Sequence, residues 1–223
     1  MSAASAAALP RLHPLGEAAL VCELPPPATL AQQRQIWALA AEAMQWRGVR
    51  EVLPGMNNLS LLFDPDEIDG VELEMQVLSA WPQLAAATIE GRRIEIPVIY
   101  GGEWGPDLAD VAAHTGLAPA EVVRRHSEGD YIVYLLGFLP GFAFMGGLAT
   151  ELATPRRAAP RVAVPAGSVG IGGEQTGVYP IVSPGGWNLI GRTSVPLFEP
   201  LADAPTLLRP GDRVRFVAER VEL

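Results

Sequence analysis

RVAVPAGSVGIGGEQTGVYPIVSPGGWNLIGR, residues 161–192, decides the fold. Short apolar runs (RVAV, SVGIG, GVYPIV, WNLIGR) alternate with Gly and Pro too closely spaced for a helix, which predicts the short strands of a barrel or sandwich. YIVYLL from Tyr131 and DRVRFVA from Asp212 extend the pattern on either side. Before them, Asp107 is placed to cap a short helix, DLADVAAHTG, and Pro119 to open another, PAEVVRRHSEG. Further toward the N-terminus the texture changes. AALVCEL (18–24) reads as a strand, and Thr29 caps a helix from Leu30 to about Trp46, closed by Gly48. Two extended segments (49–54 and 58–64) follow, then a helical pattern from Asp66 carrying Val71, Met75 and Leu78, then a strand at 93–100. The order β-α-β-β-α-β predicts a ferredoxin-like split βαβ arrangement. The expected fold is therefore an α+β, ferredoxin-like N-terminal domain (1–92) followed by a mainly-β barrel domain (93–223).

The chain has 223 residues, long enough for one large or two small domains with a real core. All 16 basic residues are Arg. Without Lys there is no Walker-type phosphate lysine, no Schiff-base lysine and no biotin attachment point. The formal net charge of −9 argues against a nucleic-acid binder and against an anionic membrane surface. Cys22 is the sole cysteine, so neither an internal disulfide nor a CxxC site is available, which fits a cytoplasmic setting. In its apolar strand it reads as a buried structural thiol. His13, His114 and His126 are scattered, and no metal site is expected. MSAASAAALPRLHPLG reads as a frayed N-terminal tail without the pattern of a signal peptide. The charge-free stretch from Tyr131 to Thr150 is interrupted by Gly and by Pro140, which suits buried strand and turn better than a membrane span.

Candidate chemistry concentrates between residues 126 and 192. GSVGIGG lacks GxGxxG spacing and no helix follows it, so it is not a dinucleotide fingerprint. Its glycines serve either close approach to a ligand or barrel corners. Ser168 lacks the strand-to-helix setting of a nucleophile elbow and reads as a turn hydroxyl. Arg156, Arg157 and Arg161 form either a solvated basic stripe or a set of forks for a carboxylate. His126 is either a residue at a helix C-terminus favoured by the macrodipole or a general acid–base. Gln175, Thr176 and Tyr179 offer an amide, a hydroxyl and a phenol suited to a lactam carbonyl, or else they close turns. Trp187 reads as a barrel-closing aromatic.

PGMNN (54–58), PVIYGGEWGPDLADVA (97–112), GFLPGFAF (137–144), TPRRAAPR (154–161), VPAGSVGIGGEQTGVYP (164–180) and SPGGWNLIGRTS (183–194) occur in series. With these motifs the sequence resembles, over nearly its whole length, the family that comprises the B subunit of ATP-dependent 5-oxoprolinase, allophanate hydrolase subunit 1 and the sporulation kinase inhibitor. It departs in having Phe144 and Asn188 where many relatives carry Tyr and Gln. The resemblance implies that the barrel is cyclophilin-like. It also implies partner subunits of types A and C and the ATP-driven opening of 5-oxo-L-proline, a lactam, to L-glutamate, with ATP held mainly by another subunit. On that reading His126 moves a proton, and Gln175 and Tyr179 orient the carbonyl. Arg161 pairs with the substrate carboxylate, while Arg156, Arg157 and Thr176 complete the binding set. Two rival functions stay open: the carboxyltransferase half of a biotin-dependent urea carboxylase-like enzyme, and a non-enzymatic histidine-kinase inhibitor.

Overall fold

The computed structural model describes residues 9–84 and 91–223. The chain divides into two compact units, Met1–Ile89 and Glu90–Leu223. The first contains β1 (Arg11–Pro14), β2 (Ala19–Glu23), α1 (Leu30–Ala43), β3 (Val49–Pro54), β4 (Asn58–Phe63) and α2 (Gly70–Ala80). The strands form an antiparallel sheet in the order β1-β2-β4-β3. Central β4 alternates as period-2 patterning requires, with Leu59, Leu61 and Phe63 buried. They share a core with Ile36, Leu39 and Ala43 of α1 and Leu73 and Val77 of α2. Thr29 starts α1 through a capping box with Gln32.

The structure corrects four expectations. The segment at 93–100 is a strand, but it leaves this sheet for the barrel, so the anticipated β-α-β-β-α-β set is not completed by it. The fourth place is taken by β1, drawn from the stretch read as a frayed tail, while residues 1–8 of that tail lie outside the described residues. The second helix begins at Gly70 behind an Asp69 cap instead of at Asp66. Its inward face is Leu73 and Val77, whereas Val71, Met75 and Leu78 are exposed. Cys22 is fully buried in β2 as expected, and desolvation pushes its thiol up to about 12, leaving it unreactive.

The second unit contains β5 (Arg93–Gly101), α3 (Leu108–Thr115), α4 (Pro119–Glu128), β6 (Tyr131–Leu136), β7 (Ala143–Gly146) and β8 (Arg161–Val164). It continues with β9 (Ser168–Gly172), β10 (Gln175–Val178), β11 (Ser183–Gly185), β12 (Asn188–Arg192) and β13 (Arg213–Glu222). Seven strands close a barrel in the order β10-β7-β6-β13-β5-β12-β9, while β8 and β11 pair separately. The β5–β13 neighbours run parallel and join the two ends of the unit. Ile96, Val98, Val133, Met145, Val169, Ile171, Ile190 and Phe216 fill the interior, joined by Val111 of α3 and Val122 and Val123 of α4. The turn between β9 and β10 has two residues, Gly173 and Glu174, and Gly173 supplies the positive φ (65°) that tight hairpins require.

Candidate functional site

Phe142, Val164, Tyr179, Trp187 and Leu189 form an apolar cluster distinct from the main barrel core. Phe142 sits edge-to-face on both Tyr179 and Trp187, with ring centroids 5.4 Å apart in each pair. A side chain at Gly172 would run into the Trp187 indole, so glycine in β9 is what lets Trp187 lie against the barrel wall. The glycine-rich run is thus strand, hydrogen-bonded on one side to β10 and on the other to β12, with its backbone engaged in those ladders.

Over the aromatic cluster opens a pocket of about 400 Å³, a volume suited to a small molecule. Phe138, Phe142, Phe144, Tyr179 and Trp187 line its apolar side, Arg156 and Arg157 its cationic side, and Gly185–Gly186 contribute backbone. Tyr179 is buried, which pushes its phenol up, while a hydrogen bond from the Trp187 amide pulls the other way. The net shift is upward, so the phenol stays protonated at neutral pH and is able to donate a hydrogen bond.

The arginines are organised by Asp107. Its carboxylate, 3% exposed, accepts from Arg157 Nη1 at 2.7 Å and from both terminal nitrogens of Arg161 at 2.8 Å. It also accepts from the Leu189 amide at 2.7 Å. The expected cap on α3 is not made by the Asp107 side chain, because its acceptor capacity is spent on these partners. The pairing with Asp107 holds the Arg161 guanidinium above its ordinary value. The Asp110 carboxylate also acts on Arg161, so two carboxylates face Arg157 and Arg161, and exposed Arg156 on the pocket lining adds a further positive charge. Arg157 Nε is buried with no hydrogen-bond partner among the described residues.

His126 lies elsewhere. It is fully buried inside the barrel unit and stacks on Phe216 with ring centroids 4.7 Å apart. Thr176 donates its hydroxyl proton to the Gly170 carbonyl (3.0 Å), which leaves its oxygen to accept from His126 Nε2 at 2.8 Å. Nδ1 is then the acceptor for the Tyr100 hydroxyl, also at 2.8 Å. Burial lowers the imidazole to about 3, so the ring is neutral at any physiological pH. The helix-end imidazolium considered from sequence is excluded by this desolvation.

The sequence-derived set is therefore split. Arg156, Arg157 and Tyr179 meet at the pocket. Arg161 stands behind them on Asp107, and His126 and Thr176 are joined to each other in the interior. Gln175 starts β10 opposite Gly172 and does not line the pocket. Sequence reading missed Asp107 as an arginine anchor and Tyr100 as a histidine partner. One signal did exist: His126 falls four residues after Val122 and three after Val123, on the face α4 buries. Among the described residues no three His, Cys, Asp or Glu side chains gather as a metal site.

Residues 10–208 match the family model described as Carboxyltransferase domain, subdomain C and D. The B subunit of 5-oxoprolinase from Escherichia coli O157:H7 is 52% identical over 210 residues, 94% of this chain and 96% of that one. This chain belongs to the 5-oxoprolinase B-subunit family. A crystal structure of TTHA0988 matches at TM-score 0.76 and 39% identity over 90% of this chain, which spans 39% of that longer protein. The Kluyveromyces lactis urea carboxylase shares the fold at TM-score 0.75 and 20% identity, over 94% of this chain and 22% of that one. The Asp107 cluster and the aromatic pocket both fall within the matched region, so in this member of the 5-oxoprolinase B-subunit family they belong to the shared domain.

Proposed function

We propose that the chain is a subunit of an ATP-dependent 5-oxoprolinase that opens 5-oxo-L-proline to L-glutamate together with subunits of types A and C, in the cytoplasm, and turns over little alone. The carrying observation is the pocket, where two guanidinium groups and a neutral phenol meet an aromatic floor. It accompanies 52% identity to a protein named as the B subunit of 5-oxoprolinase. The substrate presents matching groups: a carboxylate, a lactam carbonyl and a flat apolar ring edge. Arg157, aligned by Asp107, takes the carboxylate with Arg156, and the ring lies over Phe142 and Trp187. Tyr179 donates to the lactam oxygen as charge builds there during attack of water on the carbonyl carbon and cleavage of the C–N bond. Arg161 supports this site through Asp107 and does not contact substrate, and His126 and Thr176 hold the barrel together.

ATP supplies the driving force for the ring opening. The pocket offers two arginines and no lysine, and the glycine-rich strand has its backbone engaged in the barrel, so neither of these two features is a ready cradle for a triphosphate. We assign ATP mainly to another subunit. We also assign the barrel to the cyclophilin-like type, and the N-terminal sheet to a ferredoxin-like variant with β1 in the fourth strand position.

The test is glutamate release from 5-oxo-L-proline and ATP by the chain alone, by its A- and C-type partners without it, and by all three. Release from the complete mixture only is expected. Equal release by the A and C types without this chain would refute the proposal. Carboxyltransferase activity, the reading favoured by the family description, would require a separate biotin carrier because the chain has no Lys.

A further inference from the structure

Helix α2 is apolar on two faces. Leu73 and Val77 enter the core, yet Val71, Met75 and Leu78 are 66%, 60% and 42% exposed. Spacings of four and three residues align these three in one stripe along the helix. Single exposed apolar side chains are ordinary on a surface, but a row at helical spacing, opposite a face already satisfied by the core, is a surface built for contact. Its border is acidic. By the helical repeat Glu72 and Glu74 fall on opposite sides of the stripe, and Asp66 and Asp69 precede it.

From Glu51 to Leu84 the acidic residues are Glu51, Asp64, Asp66, Glu67, Asp69, Glu72 and Glu74, and there is no basic residue. Arg50 pairs with Asp64 and Glu67. Asp66, Asp69, Glu72 and Glu74 form no salt bridge among the described residues. Asp69 caps the helix by accepting from the Glu72 amide, and an acid at Glu72 suits the first turn, but neither role accounts for Glu74.

We infer that the Val71–Met75–Leu78 stripe is the docking face for another subunit of the complex, one that presents an apolar patch edged by Arg or Lys. Self-pairing would set acidic borders against each other, so the charge pattern selects a different chain over a second copy of this one. The inference rests on the multi-subunit reading above, and its test reads binding, not turnover, so an error in the substrate leaves it intact.

Purified A-type and C-type subunits are titrated separately with the chain by calorimetry, and the chain alone is sedimented. One subunit is expected to bind, less tightly as NaCl rises from roughly 50 to roughly 300 mM. Met75→Glu is expected to weaken its Kd about tenfold or more, as loss of a central apolar anchor does. Because Met75 is exposed, thermal unfolding should be unchanged. The double change Glu72→Arg, Glu74→Arg, which leaves the apolar stripe in place, is expected to weaken binding and abolish its salt dependence. Full-strength binding by both variants overturns the inference. So does a wild-type homodimer dispersed by Met75→Glu, or failure of both subunits to bind the wild-type chain.

Discussion

The barrel unit contains two buried polar clusters that look alike in composition and differ in purpose. In the Tyr100–His126–Thr176 network every side-chain donor and acceptor named has a partner, no group is charged, and the ring stacks on Phe216. In the Asp107–Arg157–Arg161 cluster the groups are charged, one guanidinium nitrogen is unpaired, and with Arg156 beside it the cluster puts an excess of positive charge at an open pocket. A satisfied neutral network stabilises and specifies a fold, whereas an excess of oriented charge at a pocket wall is unfinished until a ligand arrives. The histidine, which chemical habit marks as catalytic, belongs to the first kind.

Removing the anchor of the charged cluster is the most severe way to probe this contrast. Asp107→Ala leaves Arg157 and Arg161 without their counter-charge and is expected to cost about 3–5 kcal/mol, read by urea unfolding of the isolated chain. Arg157→Ala should leave the fold largely intact and lower kcat/KM of the assembled enzyme about 100-fold, as loss of a charge-assisted pair does. A loss below about threefold would detach Arg157 from the substrate.

His126→Gln probes the closed network. Stability should fall by about 1–3 kcal/mol as Tyr100 and Thr176 lose good geometry, while the folded complex keeps its activity within about threefold. The network also predicts a pH response. The unfolded chain takes up a proton on His126 near its ordinary 6.5, but the folded chain resists until about 3. The stability it contributes is therefore complete above pH 6.5 and lost as pH falls toward 3, by up to about 1.4 kcal/mol per pH unit. Urea midpoints across that window should flatten in His126→Gln relative to the wild type, and parallel curves would contradict the assignment. Arg156→Ala should be milder than Arg157→Ala, about tenfold in KM, because its exposed guanidinium is screened by solvent.

The sequence carried the strand rhythm of the barrel because Gly and Pro punctuate it at every turn. It did not carry the sheet to which residues 93–101 belong, since pairing Arg93 with Arg213 depends on closure of the whole unit. Helix α2 was misread for a local reason: apolar residues on both faces make the helical period ambiguous about which side is core. Of the candidate site, Arg156, Arg157 and Tyr179 were legible as side-chain chemistry near glycine-rich turns. Asp107 was hidden because a Gly-Pro-Asp before a helix reads equally well as a cap, and its arginines arrive from about 50 residues away in sequence. For His126 the chemistry of an imidazole points to acid–base work, while its alignment with Val122 on α4's buried face points to the interior, where the structure places it.

The most direct test is a steady-state comparison of Arg157→Ala and His126→Gln in the complete three-subunit mixture, following glutamate formation while 5-oxo-L-proline is varied at saturating ATP. The pocket account predicts that Arg157→Ala loses about 100-fold in kcat/KM and His126→Gln stays near wild type. The reverse order, with His126→Gln inactive in a folded, assembled complex and Arg157→Ala unaffected, would contradict it.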